Sequence, residues 1–417
     1  MAIPGVTTTI RDRSYTVSRS DAPTGPRVVA IARRSTADGT GDIQDLDVVR
    51  ALNEADVITA FGDGSDAHKA FIELVSAGAD KIYIVPLPSA TDFDHSTGGL
   101  DDGSGSNDIF QEAFDAAEAA IPDIIVAWGR GSNSNDWDDG ATPSVSNQDE
   151  YGFHADNSTV VTSNWAYKVG AACKAISENT NPCIGVIGIK PYVTVSAERM
   201  TPGQISTHLG VSNLPDKDGS DLFKSVGSYI TVVAGEVKPL NYSSGTTSFG
   251  YANGATHFAA TMSTLPSYHS TINKPLFNIE SVRYSPTRTQ QGNLAGKGVN
   301  PIIINFNKIA VFGESLTFAQ TSSDYTRLTT KRIIDDATSV VRQVCQKFIG
   351  QASNVQVRNA METAITSGLR GMQVRGALLS SDFTVTYVPN ENKAIVDLVL
   401  TPAFELKNIE VRVAINL

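Results

Sequence analysis

An α/β domain with a partly parallel sheet, followed by a smaller α+β unit, is the fold class that the sequence predicts. Three observations predict it. Strand-like and helix-like stretches alternate as far as about residue 284. The last third instead groups two long amphipathic helices ahead of a set of strands. Both ends of the chain carry extended patterns that stand apart from any core. Alternation favours parallel strands with helical crossovers, whereas segregated helices and strands favour α+β.

Residues 1–20 come first. Val6-Thr7-Thr8-Thr9-Ile10 and Tyr15-Thr16-Val17 are β-branched and aromatic, which favours extended backbone, and little else in the segment could build a core. Asp21-Ala22-Pro23-Thr24-Gly25-Pro26 reads as a linker, because its prolines and glycine break any regular element. The pair predicts an arm, with Val6, Thr8 and Ile10 in its strand and Pro23, Gly25 and Pro26 at its hinge.

The α/β domain is expected over residues 21–284. Val28-Val29-Ala30-Ile31-Ala32, Lys81-Ile82-Tyr83-Ile84-Val85, Ile124-Ile125-Val126-Ala127, Ile184-Gly185-Val186-Ile187 and Tyr229-Ile230-Thr231-Val232-Val233 read as buried strands. Between them, residues 66–77 place Ala70, Phe71, Leu74 and Val75 on one helical face, and residues 110–120, 165–176 and 252–262 are helical. Long polar loops, residues 92–108, 129–164 and 196–221, belong on the surface.

The C-terminal unit is expected over residues 285–417. Residues 330–349 form a helix with Ile334, Ala337, Val341, Val344 and Phe348 spaced three or four apart. Asn354 caps a second helix carrying Val357, Met361, Ala364, Ile365 and Leu369. Phe383-Thr384-Val385-Thr386-Tyr387 then meets residues 395–400 through Pro389-Asn390-Glu391-Asn392, a hairpin signal. After Pro402, a second expected hinge, Ile409, Val411, Val413, Ile415 and Leu417 alternate with Glu410, Arg412, Ala414 and Asn416, a strand with one apolar face.

The totals bound the function. A chain of 417 residues suggests two or three domains, and 41% hydrophobic with 18% charged residues describes an ordinary core-forming protein. A net charge of -11, with basic residues no more clustered than pairs such as Arg33-Arg34, argues against nucleic acid as a partner. The N-terminus has no basic and apolar leader and no stretch is apolar enough to span a membrane, so a cytosolic origin without membrane contact is expected. Cys173, Cys183 and Cys345 fit reduced, buried thiols.

Chemical motifs are weak. Gly62-Asp63-Gly64-Ser65-Asp66-Ala67 matches the dinucleotide pattern, but Val57-Ile58-Thr59-Ala60 is a poor first strand, and a turn into a helix cap is the better reading. Gly292-Asn293-Leu294-Ala295-Gly296-Lys297 is one residue short of a phosphate-binding loop, and Gly298 stands where Ser or Thr would hold magnesium. The acidic run at residues 101–108 lacks the closing Glu of a calcium loop, and His68, His95, His154, His208, His257 and His269 show no metal-ligand spacing. No catalytic residue, cofactor or metal is therefore expected.

In their order along the chain, the residues resemble the contractile tail sheath proteins of phages and related injection systems. Pro4-Gly5-Val6, Phe61-Gly62-Asp63-Gly64-Ser65 and Lys81-Ile82-Tyr83-Ile84-Val85-Pro86 echo the family near the start. Gly298-Val299-Asn300-Pro301-Ile302, Phe312-Gly313-Glu314-Ser315-Leu316-Thr317, Phe348-Ile349-Gly350-Gln351-Ala352-Ser353-Asn354, Gly376-Ala377-Leu378 and Leu400-Thr401-Pro402-Ala403-Phe404-Glu405 do so later. Residues 1–90 and 285–417 are covered; Glu314-Ser315 departs from the usual Ala-Arg, and acidic residues that often follow Pro-Gly-Val are missing.

The resemblance implies a non-enzymatic virion protein assembled in the host bacterial cytoplasm. It stacks in hexameric rings around a tail tube protein, meets baseplate and neck or terminator proteins, and contracts to drive the tube through the host envelope. Strand arms at Val6, Thr8, Ile10, Ile409, Val411, Val413 and Ile415 would then join neighbouring copies, where strand pattern alone equally allows pairing within one subunit. Another self-assembling virion component, such as a tube or capsid protein, and a cytosolic nucleotide-binding α/β enzyme remain the alternatives.

Overall fold

The computed structural model describes residues 26–35, 46–89, 92–94, 99–101, 109–127, 165–189, 217–218, 222–244, 247–283, 285–388, 393–403 and 405. Its centre is an eight-stranded sheet. The strands are β1 (Arg27–Arg33), β2 (Val49–Ala51), β3 (Lys81–Leu87), β4 (Ile124–Ala127), β5 (Ile184–Ile189), β6 (Ile230–Ala234), β7 (Val299–Ile304) and β8 (Ala310–Phe312). In space they run β8-β7-β6-β5-β4-β1-β3-β2. Neighbours from β3 to β7 are parallel, while β2 and β8 close the two edges antiparallel.

The strand sequences require cover on both faces. In β1, Val28, Ala30 and Ala32 point one way and Val29 and Ile31 the other, and all five are buried. Helices α3 (Phe110–Ala119) and α4 (Trp165–Asn179) pack Phe110, Phe114, Val169 and Cys173 onto the Val29 face. Helices α1 (Glu54–Phe61), α2 (Asp66–Ser76) and α5 (Gly254–Thr264) pack Phe61, Leu74, Phe258 and Met262 onto the Val28 face. Each starts at a side-chain cap: Asn53 for α1, Ser65 for α2 and Asn253 for α5. Glu73 of α2 is wholly buried and accepts hydrogen bonds from the Tyr242 and Thr256 hydroxyls, which ties α2 to α5 across the layer.

Three expectations need correction. The division at residue 284 does not mark the end of the sheet, because β7 and β8 add to it beyond α6 (Arg288–Gly296). Ala252 is paired as a bridge-like strand residue, and the helix begins two residues later at Gly254. Val75, expected in the core, is 46% exposed, because the apolar face of α2 runs through Ala67, Ala70, Phe71 and Leu74 instead. Cys173 and Cys183 are buried as expected, while Cys345 is half-buried.

His257 on α5 is fully buried, and among the described residues neither ring nitrogen has a hydrogen-bond partner. Burial lowers its pKa from 6.5 to about 4, so it is neutral in the fold and charged when unfolded at mildly acidic pH. The folded pKa lies below the unfolded one. The unfolded chain therefore binds the extra proton between these values, and stability falls as pH drops from 6.5 towards 4. The full loss is roughly 3 kcal/mol at 1.36 kcal/mol per unit. Burial raises the pKa of Asp123 and of Asp335, which works in the opposite sense. Chemical denaturation of wild type and His257→Leu at pH 7 and pH 5 isolates the histidine: the variant gains relative stability at the lower pH. An equal pH slope in both proteins would refute the assignment.

Candidate functional site

The C-terminal unit is where this fold leaves work unfinished. Helices α7 (Leu328–Gln346) and α8 (Val355–Val374) pack Ile333, Ala337 and Val341 against Met361, Ile365, Leu369 and Met372. Ile333 takes the buried place for which Ile334 was expected. Asn354 caps α8 as its sequence requires, accepting from the Val357 N–H at 2.9 Å. Gly368 lets the helices approach, since a Cβ there would meet Val340 at 2.7 Å. Gly376, at φ 77°, ends α8 with the Ala377 N–H on the Met372 carbonyl at 3.0 Å, and the chain turns back into a strand.

That strand, β9 (Leu378–Val388), pairs antiparallel with β10 (Lys393–Pro402) along a register from Leu378↔Pro402 to Val388↔Lys393. Phe383, Val385, Tyr387, Val396, Leu398 and Leu400 face the helix pair yet are only half-buried. On the outer face Val399 is 68% and Ile395 37% exposed, and Leu379, at an irregularity in the pairing, is 63% exposed. Two-stranded hairpins are marginal without more cover. Among the described residues β9 and β10 form a sheet of two strands, so each presents one ladder edge with no strand beside it.

The unit is held to the sheet at the N-terminal ends of the parallel strands, where crossover helices end. Helix C-termini carry exposed carbonyls and partial negative charge. Arg332 donates to the Met262 and Leu265 carbonyls at the end of α5, at 2.9 and 2.7 Å. Arg342 donates to the Ser177 and Glu178 carbonyls at the end of α4, at 2.7 and 3.3 Å. One helix thus grips both layers. Between them lies an open cleft of about 720 Å³, with Asp80, Asp123, Arg332, Asp335 and Asp336 on its walls. Asp123 accepts from the Arg27 N–H at 2.7 Å and from Asn181 at 3.1 Å, and Asp335 pairs with Lys331 at 2.5 Å.

The predicted site residues fall unevenly. Val6, Thr8, Ile10, Pro23, Gly25, Ile409, Val411, Val413 and Ile415 lie outside the described residues. Pro26 stands directly before β1 at the cleft wall. Pro402, the second expected hinge, is the last residue of β10, paired with Leu378 in the ladder, and the Ala403 N–H donates to the Ala377 carbonyl at 3.0 Å. Sequence reasoning missed Arg332 and Arg342. Their partners are main-chain carbonyls far away in sequence, and the only local signal is their place beside an apolar stripe.

The chemical motifs resolve into structure. Gly62 and Gly64 join two helices, not a strand to a helix, and the Gly64 N–H donates to His68 Nδ1 at 3.0 Å, so an amide that a phosphate would use is taken. The stretch from Gly292 to Gly296 is the end of helix α6. Part of the acidic run at residues 101–108 lies outside the described residues. Among the described residues no group of three or more His, Cys, Asp or Glu side chains is placed to hold a metal, and no helix is long and apolar enough to cross a membrane.

No protein-family model matches the chain, and no curated protein matches it in sequence. Solved structures do match in fold. A chain of the 6-fold symmetrised baseplate of the anti-feeding prophage is 12% identical with a TM-score of 0.63, covering 98% of this chain and 100% of that one. A chain of the same prophage's helical sheath in the contracted state is 14% identical with a TM-score of 0.60, at 99% coverage of both. The sheath tail protein from Listeria innocua is 11% identical with a TM-score of 0.57, over 92% of this chain and 93% of that one. The likeness runs nearly end to end in each case.

Proposed function

We propose that this chain, which has the fold of the contractile tail sheath proteins, is itself a sheath subunit. Copies stack as hexameric rings around a tube, and the assembled sheath shortens to drive that tube through a host envelope for genome ejection. The observation that carries the reading is the fold likeness to a contracted helical sheath chain over 99% of this chain and to a sheath tail protein over 92% of it, the C-terminal helix pair and hairpin included. The hairpin supports it from the physical side. An unpaired ladder edge is a template for a strand from another molecule, and among the described residues β9 and β10 offer two such edges.

The partners follow from that reading: further copies of this chain, the tube, and the baseplate and neck proteins at the two ends, all within a phage or phage-derived particle assembled in the host cytoplasm. Strand exchange between copies would use the arms at residues 1–20 and beyond residue 405. The role is mechanical, with no turnover.

Electron microscopy of the purified protein tests the reading. Striated or hollow polymers are expected, and a protein that stays monomeric at every concentration and salt condition would count against it. Deleting residues 1–20 is expected to leave the cooperative melt intact and to abolish long polymers. Long tubes formed by the truncated protein would show that the N-terminal segment is not an assembly arm.

A further inference from the structure

The turn from β7 to β8 presents an apolar tip. Phe306 is 100% exposed, and Ile304, Ile309 and Phe277 are exposed around it. Single exposed apolar side chains are ordinary, but a contiguous group marks an interaction surface. Phe277 joins the group because the Leu276 N–H donates to the Ala310 carbonyl at 2.9 Å, which brings its segment alongside β8. The turn is also built to hold its shape. Asn305 Oδ1 accepts from the Asn307 and Ile309 N–H groups, both at 3.0 Å, and the Asn305 amide donates to Asn273 Oδ1 at 3.2 Å. A ring displayed on a fixed turn loses little conformational entropy when it docks. Lys308, at φ 59° in the turn, and Lys274, next to Asn273, add positive charge to the tip.

The open cleft beside α7 is the complement of this tip. Its volume of about 720 Å³ is in the range of pockets that enclose small ligands, so a phenyl ring with part of its turn fits. Leu265 gives it an apolar wall, and Asp80, Asp123, Asp335 and Asp336 outnumber Arg332 around it. We propose that the Phe306 turn of one copy docks in this cleft of a second copy, with Lys308 facing the carboxylates. The proposal rests on the sheath reading above and names a contact between the folded bodies of two copies, independent of the arms. The tip stands at the C-terminal ends of the parallel strands, whereas the cleft lies at their N-terminal ends. The contact is therefore head-to-tail: a pair keeps one free tip and one free cleft, and repetition closes a ring or extends a helix. An aromatic anchor seated in a pocket dominates such a contact, and the opposite charges at its rim set the approach.

The test uses the full-length protein. Phe306→Ser disables the tip, and Asp80→Lys combined with Gln343→Lys reverses the charge at the cleft rim. All three sites are exposed, so melting should stay within about 2 °C of wild type. Alone, each variant is expected to need at least about tenfold more protein to form polymers, read by light scattering. Mixed in equal amounts, the two retain one sound tip and one sound cleft between them. They should form dimers that grow no further, read by sedimentation at high concentration, while neither variant dimerises alone. Wild-type polymerisation by Phe306→Ser overturns the proposal, as does a mixture that stays monomeric. Loss of polymers in both variants without mixed dimers would assign the tip to a different partner and overturn the pairing. If the wild type never polymerises, the sheath reading fails, while the mixed dimers still decide the contact.

Discussion

Val413→Asp is expected to abolish polymer formation while leaving the melting of the monomer unchanged. Ile409, Val411, Val413, Ile415 and Leu417 alternate with Glu410, Arg412, Ala414 and Asn416, so as an extended strand Val413 would share one face with Val411 and Ile415 and Arg412 would belong to the other. Strand addition to a free hairpin edge would bury that apolar face. The substitution forfeits about 1.5–3 kcal/mol of side-chain burial and adds the cost of an unpaired carboxylate, commonly several kcal/mol more. Each 1.4 kcal/mol is about tenfold in affinity, so contacts are weakened roughly a thousandfold or more, and every subunit carries the defect. Arg412→Glu is the control and should assemble nearly as wild type. Tubes of ordinary length from Val413→Asp, seen by microscopy, would mean that this strand makes no contact between copies.

The second large effect is expected at the joint between the two units. Arg332→Met leaves the Met262 and Leu265 carbonyls without their charged donor and should cost about 2–4 kcal/mol. Arg342→Met should cost less, about 1 kcal/mol, because its contact with the Glu178 carbonyl is exposed and water can replace the donor. The helix-and-hairpin unit has its own apolar cluster, separate from the clusters on the two sheet faces. Combining both substitutions is therefore expected to split one calorimetric transition into two, the earlier belonging to the C-terminal unit. A single transition at the wild-type temperature would show that other contacts, such as Ser267 on Asp336 at 2.9 Å, hold the joint without the arginines.

How much of this was legible in the sequence depends on how local its cause is. The hairpin and the Asn354 cap were readable because each is set by residues a few positions apart. The buried strands were readable from their continuous apolar runs, and so was the alternation that makes most of the sheet parallel. What escaped is long-range. That β7 pairs with β6, between Val299 and Val232, is a choice among possible parallel neighbours that no local pattern records. The helical face of α2 was drawn one residue too far because Val75 is apolar, yet position 75 faces outward. Pro402 reads as a breaker in isolation, but a proline at the last rung of an edge strand lacks only a donor that the ladder does not need there. The arginine contacts join residues from about 67 to 165 positions apart, to main-chain atoms whose identity leaves no mark on the sequence.

The grip of one helix on both layers also has a mechanical consequence. A pull on the hairpin does not peel a single layer from the sheet: it is divided between Arg332 and Arg342, which hold helices on opposite faces. Shear between those faces is resisted by the strands they enclose, so the sheet behaves as the web of a beam with α7 keyed across its end. Tension applied to the hairpin therefore enters the body as a load divided between the two layers.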